Sequence, residues 1–278
     1  MKKDYFSLDE DFTKIIITAL SDKNISSIKP ISTGWTNIVF EVSTDSGNYF
    51  FRFPRDNFWL RTIVKDYEFS KYISGKTDFQ TVKLDLKYDN NRPFSIHKKI
   101  EGTVLADVMD TMSPSQIETV SKDIAKFMYQ LHNIDFKNDQ IFTINNIGLN
   151  LTDFLDELLN VHVSQEDKIF WKYEDFKNKD HNTLVHGDLN SSNILLDSNY
   201  HIAAIIDFGF GGFGNPYFDI SRIIGRCPES FKDRIICNYE QISNNKLDYP
   251  TLNNEIQIWS NIDNSYINYM RKIGIYNN

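Results

Sequence analysis

Cysteine is nearly absent from the 278 residues: Cys227 and Cys237 are the only two, without the paired spacing that would suggest a zinc site or a disulfide framework. With 41% apolar residues the chain can bury one large core or two lobes without such staples, so both cysteines are expected to be small buried apolar residues. Glycine (12) and proline (7) are sparse, and neither a low-complexity linker nor an internal repeat interrupts the chain. Long apolar runs are missing too. The richest, Ala203-Ala204-Ile205-Ile206, falls far short of the roughly 20 residues needed to span a bilayer. Ile15-Ile16-Ile17, between Lys14 and Thr18, is too short for the apolar part of a signal peptide. A cytoplasmic protein with no membrane partner is expected. A basic excess is also lacking: 30 Lys+Arg against 38 Asp+Glu give net −8, which disfavours nucleic acid as a partner and favours cationic ligands. Much of the deficit lies between Asn133 and Asn182, where ten acids face five lysines, as a solvated helical face or as a wall that attracts cations.

What is present alternates between two periods. Phe12, Ile15, Ile16 and Ala19 have helical spacing and predict an amphipathic helix within residues 4–22, with Asp9 and Glu10 in its first turn. After Pro30 the pattern alternates: Ile38, Phe40 and Val42 share one face, Asp45-Ser46-Gly47-Asn48 reads as a turn, and Tyr49 to Phe53 reads as the returning strand. Arg61–Ser74 is helical again, and Phe94–Ile100 is a strand between Pro93 and Gly102. Ser113-Pro114-Ser115-Gln116 supplies a capping serine, a proline at the first helical position and a glutamine at the third, ahead of Ile117, Val120, Ile124, Phe127 and Leu131. The remainder is mostly helical, with short strands near 183–185, 194–196 and 201–208.

The chemistry concentrates in His186-Gly187-Asp188-Leu189-Asn190-Ser191-Ser192-Asn193 and in Ile206-Asp207-Phe208-Gly209. Phosphoryl transfer needs an acceptor hydroxyl held in line, a carboxylate near its proton, and metal ions bridging the phosphates. Asp188 and Asn193 lie in a loop between the apolar pieces Leu184-Val185 and Ile194-Leu195-Leu196, which can hold their polar tips at an open edge. The turn Asp197-Ser198-Asn199 folds Ile194–Leu196 back on His201–Ile206 as a hairpin and returns Asp207 to the end where Asn193 sits. One amide oxygen and one carboxylate suit Mg²⁺, which keeps waters and substrate phosphates in its other positions.

Together these strings resemble the catalytic loop and metal-binding segment of aminoglycoside phosphotransferases and their relatives, including choline and macrolide kinases. Ser32-Thr33-Gly34-Trp35-Thr36-Asn37 and Phe51-Arg52-Phe53-Pro54-Arg55 resemble the nucleotide-binding lobe of the 2''-acting aminoglycoside enzymes and the macrolide enzymes; Phe94–Gly102 and Ala125–Phe136, with Leu131-His132, resemble further segments. The resemblance covers most of residues 30–225, and the last fifty residues carry no motif. It implies a bilobal, protein-kinase-like α/β (α+β) fold: a nucleotide-binding lobe over 1–99, with an antiparallel sheet and a helix, and a mainly helical catalytic and acceptor-binding lobe over 100–278. It makes Asp188 the catalytic base or hydroxyl orienter, Asn193 and Asp207 the Mg²⁺ ligands, His186 a brace for the loop, and Asp219 its buried anchor. Ser32, Gly34 and Arg52 fall in the nucleotide site, and backbone groups of Lys98 to Ile100 would meet the nucleobase of ATP or GTP. Arg52 stands where the family usually has lysine on its third strand, a planar fork in place of a point charge. Glu68 falls where the partner acid on the following helix belongs.

Gly209-Phe210-Gly211-Gly212-Phe213-Gly214 also fits a dinucleotide-binding fingerprint after a strand, but Asn215-Pro216 follows where that helix should already run, and no acid closes a second strand about 20 residues on. These glycines are expected to let the chain pass close to phosphates or substrate. Trp35, Trp59, Trp171 and Trp259 are expected mostly in the core. The resemblance and the acidic stretch imply a small cationic, hydroxyl-bearing acceptor, an aminoglycoside. Alternatives are a choline-type or other metabolite, a macrolide, or a weakly active nucleotide-binding pseudokinase, which Arg52 motivates.

Overall fold

The alternation after Pro30 produces strands because each side chain pointing one way is apolar and finds the same cover. The computed structural model describes residues 6, 11–31, 35–136, 150–163, 183–272 and 274. Strands β1 (Ile25–Ile31), β2 (Asn37–Thr44), β3 (Gly47–Pro54), β4 (Asp85–Asp89) and β5 (Arg92–Lys98) form an antiparallel sheet in the order β1-β2-β3-β5-β4. The β2–β3 turn is tighter than expected. Thr44 pairs with Gly47 across Asp45-Ser46, and Gly47 takes φ +119°, which an L side chain resists. Ile38, Val42, Phe51, Phe53, Phe94 and Ile96 form one face, covered by Phe6 and by Phe12 and Ile16 of helix α1 (Phe12–Ala19). That helix is shorter than predicted and begins after Asp11, whose side chain accepts from Lys14 N–H. Strands β1 and β4 are absent from the sequence prediction. Both are sheet edges, half-buried and largely polar, so neither has a clean period of two.

Arg52, one residue off the Phe51/Phe53 face, points to the opposite side, toward helix α2 (Asn57–Ile73). Asp56 caps that helix by accepting from Phe58 and Trp59 N–H at 2.9 and 3.1 Å.

Beyond the sheet come β6 (Thr103–Val104), α3 (Leu105–Val108), α4 (Pro114–His132), α5 (Leu151–His162), β7 (Thr183–Val185), β8 (Ile194–Leu196), β9 (Ile202–Ile205), β10 (Gly212–Gly214), α6 (Tyr217–Ile224), α7 (Glu229–Ser243) and α8 (Tyr249–Lys272). The predicted capping box opens α4: Ser113 Oγ accepts from Gln116 N–H, and Gln116 Oε1 accepts from Ser113 N–H at 2.7 Å. The predicted hairpin forms with Ile194 opposite Ile205, and Ile206 N–H donates to Asn193 C=O at 3.0 Å. One core joins α4, α6 and α7 to the short strands. A second joins Phe58 and Trp59 of α2 to α5 and α8. The result is the bilobal kinase-like fold, a sheet with its helix above a mainly helical body.

Two expectations need correction. Cys227 is half-buried, its thiol pushed up to about 12 by burial, but Cys237 is exposed. Of the glycines after Asp207, Gly209 lines the cleft, whereas an added Cβ at Gly214 would meet Phe218 and Val185 at 2.8 Å, and one at Gly211 would meet Phe208 C=O and Phe69 at 3.0 Å. Gly214 thus serves close packing of β10 on β7 and α6, and Gly211 that of the preceding turn on Phe69 of α2. Trp59 and Trp259 are core as expected, although Trp259 and the half-buried Trp35 also line the cleft. Trp171, and the parts of the acidic stretch over 137–149 and 164–182, lie outside the described residues.

Candidate active site

Leu184 and Val185 of β7 and Leu189 are fully buried, so the polar residues between and after them must emerge together at the edge of the core. Gly187 has φ +79°, and a Cβ there would collide with Phe210 C=O. Only glycine fits that turn without strain. Asp219 is fully buried at the start of α6 and accepts from His186 N–H (2.8 Å) and Gly187 N–H (2.9 Å). Behind it His132 Nε2 donates to the same carboxylate at 3.1 Å, while its Nδ1 is hydrogen-bonded to Tyr239 O–H at 3.0 Å. The loop backbone is thus held from three helices.

His186 Nδ1 accepts from Asp188 N–H (3.2 Å) and its Nε2 donates to Ile206 C=O (3.0 Å). A backbone N–H can only donate and a carbonyl only accept, so the ring carries its hydrogen on Nε2 and ties the Asp188 loop to the strand leading into Asp207. Asn190 and Asn193 both donate from Nδ2 to Asp188 C=O, at 3.0 and 2.9 Å. Asn193 thereby commits its nitrogen to the loop.

Asp207 takes φ +65°, an uncommon conformation for a non-glycine residue, which turns its carboxylate back over the cleft. There Arg52 Nη2 donates to Asp207 Oδ1 at 2.9 Å, and Arg52 Nη1 to Asp66 Oδ2 at 2.5 Å. Burial opposes the charge on Arg52, but Asp207 and Asp66 outweigh it and hold the guanidinium protonated above its ordinary range. Burial likewise opposes ionisation of Asp207, and Arg52 reverses the sign, so this carboxyl titrates below its usual value.

The acid that meets Arg52 is therefore Asp66, and not Glu68. Two residues on a helix differ by about 200° in azimuth, so the two acids cannot share a face. Asp66 also accepts from Phe208 N–H at 2.9 Å and from Ser70 Oγ at 3.2 Å, which fastens the segment after Asp207 directly to α2. Lys98 to Ile100, expected beside the nucleobase, lie at the end of β5. Lys98 closes β5 opposite Tyr49, and Lys99 N–H donates to Asn48 C=O at 2.8 Å, so strand pairing continues into it and Ile100 is the first residue past it. Ser32 and Gly34 lie outside the described residues.

Asp188, Asn193, Asp207 and Arg52 line one cavity of about 610 Å³, together with Thr36, Gly209 and Trp259. Glu68, Lys98 and Ile100 do not line it. The oxygens of Asn193 and Asp207 on its wall are the hard donors Mg²⁺ prefers, with room beside them for phosphates. Sequence reasoning passed over one more pair: Arg222 of α6 donates from Nε (2.8 Å) and Nη2 (2.7 Å) to Asp188 Oδ1, and from Nη1 to both oxygens of Asp263 in α8. Arg222 stands one turn after Asp219, a spacing visible in the sequence; nothing local marks Asp263.

Residues 27–243 match a family described as the phosphotransferase enzyme family, APH. The chain belongs to this family. Among solved structures, this phosphotransferase-family chain is similar to APH(2")-IIIa in complex with GDP and kanamycin (TM-score 0.74, 19% identity, 94% of this chain and 92% of that one). It is also similar to the streptomycin–ATP–APH(2")-IIa ternary complex (TM-score 0.65, 18% identity, 93% and 90%). Macrolide 2'-phosphotransferase MphH from Brachybacterium faecium follows the same fold (TM-score 0.63, 13% identity, 94% and 93%). Among curated proteins it is 26% identical over 168 residues to the serine/threonine-protein kinase SIK1 of Rattus norvegicus, over 55% of this chain; the chain spans 20% of that relative's length. The family is one of phosphotransferase enzymes. Among the described residues no helix is long and apolar enough to cross a membrane.

Proposed function

We propose that this phosphotransferase moves the γ-phosphate of ATP or GTP to a hydroxyl of an aminoglycoside. The observation that carries the reading is the convergence of Asp188, Asn193, Asp207 and Arg52 on one cavity, although they come from three separate stretches of the chain. Asp188 meets the acceptor hydroxyl: its Oδ1 is held by Arg222, and Oδ2 stands 3.5 Å from Asn193 Nδ2. It aligns the attacking oxygen and takes its proton as the new O–P bond forms and the bond from the γ-phosphorus to the bridging oxygen breaks, releasing the nucleoside diphosphate. Asn193 and Asp207 would hold Mg²⁺ through their oxygens, and the ion would supply charge neutralisation for the phosphates there. Arg52 faces the phosphates as a fork, kept in place by Asp66, and residues from Lys98 to Ile100 flank the nucleobase. Ser32 and Gly34, which precede β2 in the sequence, belong to the proposed nucleotide-binding set through the family resemblance. Residues 1–99 act as the nucleotide lobe, and 100–278 carry catalysis and the acceptor site.

The acceptor class is supported by net −8, by Asp107 on the cavity wall, and by the kanamycin and streptomycin complexes of proteins with this fold. Steady-state assays with MgATP and MgGTP against kanamycin, gentamicin, a macrolide and choline decide it. Phosphorylation of an aminoglycoside is expected, reduced by at least about 1,000-fold in Asp188→Ala. Turnover that survives this substitution contradicts the mechanism; turnover with choline or the macrolide alone reassigns the acceptor; nucleotide binding without turnover points to a pseudokinase.

A further inference from the structure

Two arginines and two aspartates close the acceptor end of the cleft. Arg222 joins Asp188 to Asp263, and Arg226, one turn later, donates to Asp263 from Nε at 3.2 Å and from Nη2. The four charges cancel. Arg222 is 7% exposed, and its guanidinium lies 4.5 Å from the centre of the Trp259 ring. Trp259 is itself fixed, since its Nε1–H donates to Phe218 C=O at 3.1 Å. Burial opposes the charge of Arg222, but Asp188 and Asp263 outweigh it.

The attachment to Asp188 is one-sided: Nε and Nη2 both reach Oδ1, and neither is bonded to Oδ2. Oδ1 takes both bonds from the guanidinium, and Oδ2 meets Asn193 Nδ2 at 3.5 Å. The fork has a fixed plane, set by the indole beneath it and by Asp263 behind it, so it fixes the direction of the carboxylate as well as its charge. Asp219 and Arg222 project from the same side of α6 at i and i+3. The first holds the loop backbone at His186 and Gly187, and the second holds the side chain of the next residue.

We infer that Arg222, backed by Asp263 of α8, is a positioning residue for Asp188, so that the C-terminal helix belongs to the phosphoryl-transfer machinery. The inference rests on the role given to Asp188 above. A purely structural Arg222 would affect stability and leave the rate per folded enzyme alone.

The test uses the full chain with MgGTP or MgATP, once with kanamycin as acceptor and once with water alone, which reads nucleotide hydrolysis. Arg222→Ala is expected to lower kcat by about 100-fold or more with nucleotide KM changed by less than about threefold, Arg222→Lys to fall between it and wild type, and Asp263→Asn to lower kcat about tenfold. Guanidinium at tens of millimolar, entering the space vacated beside the cleft, is expected to restore about tenfold in Arg222→Ala and nothing in Asp188→Ala. A folded Arg222→Ala with wild-type kcat overturns the inference, as does one that guanidinium does not rescue and Arg222→Lys does not improve. If Arg222→Ala does not fold, Asp263→Asn decides, and wild-type kcat in that folded variant overturns the inference. Wild-type protein inert toward both acceptors sinks the proposed function and the inference with it, whereas an active wild type with an equally active Arg222→Ala sinks the inference alone.

Discussion

Arg52 is longer than the lysine usual in the family, and Asp66 is shorter than a glutamate, so the pair conserves its span while exchanging its members. Arg52 uses one nitrogen on Asp66 and another on Asp207, a division that a single ammonium cannot reproduce in the same plane. Arg52→Lys is accordingly expected to lower kcat/KM about tenfold, and Arg52→Lys/Asp66→Glu to recover most of the loss. Glu68→Gln should stay within about twofold of wild type in the same kinetics. A double variant no better than Arg52→Lys would contradict the idea of a matched span. The two cysteines differ in a way that labelling can read. Burial pushes the Cys227 thiol up to about 12, so at pH 8 only about one molecule in 10,000 carries its thiolate, while Cys237 lies on the surface. Iodoacetamide at pH 8 is expected to modify Cys237 first and Cys227 only after unfolding, as peptide mapping would show.

At the scale of elements, α2 and α6 perform the same task from opposite sides. Asp66 of α2 pins Phe208 N–H and Arg52, and α6 pins the Asp188 loop through Asp219 and Arg222. Strand β5 brings a titratable group to the cleft side of the sheet. His97, packed on Phe50, is pushed down to about 4 by burial and then by the charge of Arg52. The folded protein therefore keeps this ring neutral, while the unfolded chain takes up a proton near its ordinary value of 6.5. Stability present above about pH 6.5 is lost as pH falls toward 4, by at most about 1.4 kcal/mol per pH unit from this one group. Urea unfolding midpoints measured across that window should fall less steeply in His97→Gln than in wild type. Equal slopes would show that His97 is protonated in the fold.

At the scale of the whole molecule, the second core joins the start of α2 to α5 and α8, with Trp59, Phe154 and Trp259 all buried. Trp259→Ala is expected to cost about 3–5 kcal/mol in denaturant titrations and to lower kcat in the protein that remains folded, because the same indole supports Arg222. The sequence carries the catalytic loop legibly because its geometry is local: residues 186–193 are contiguous, and the hairpin that returns Asp207 to Asn193 spans only 14 residues between a buried strand and a turn. The capping box of α4 and the β2–β3 hairpin are legible for the same reason. Edge strands β1 and β4 are not, since half-exposed polar strands carry no clear period. Nor are Asp66, Arg222 and Asp263, whose roles depend on which way each helix is rolled when its apolar face is buried. A shift of two positions moves an acid from Arg52 to the far side of α2, and Asp263 reaches Arg222 only because α8 packs on α6. The sequence alone determined which residues form the proposed reaction centre, and packing decided which charges hold it, because long-range partners are chosen by helix azimuth and the chain records that azimuth only in the pattern of its whole core.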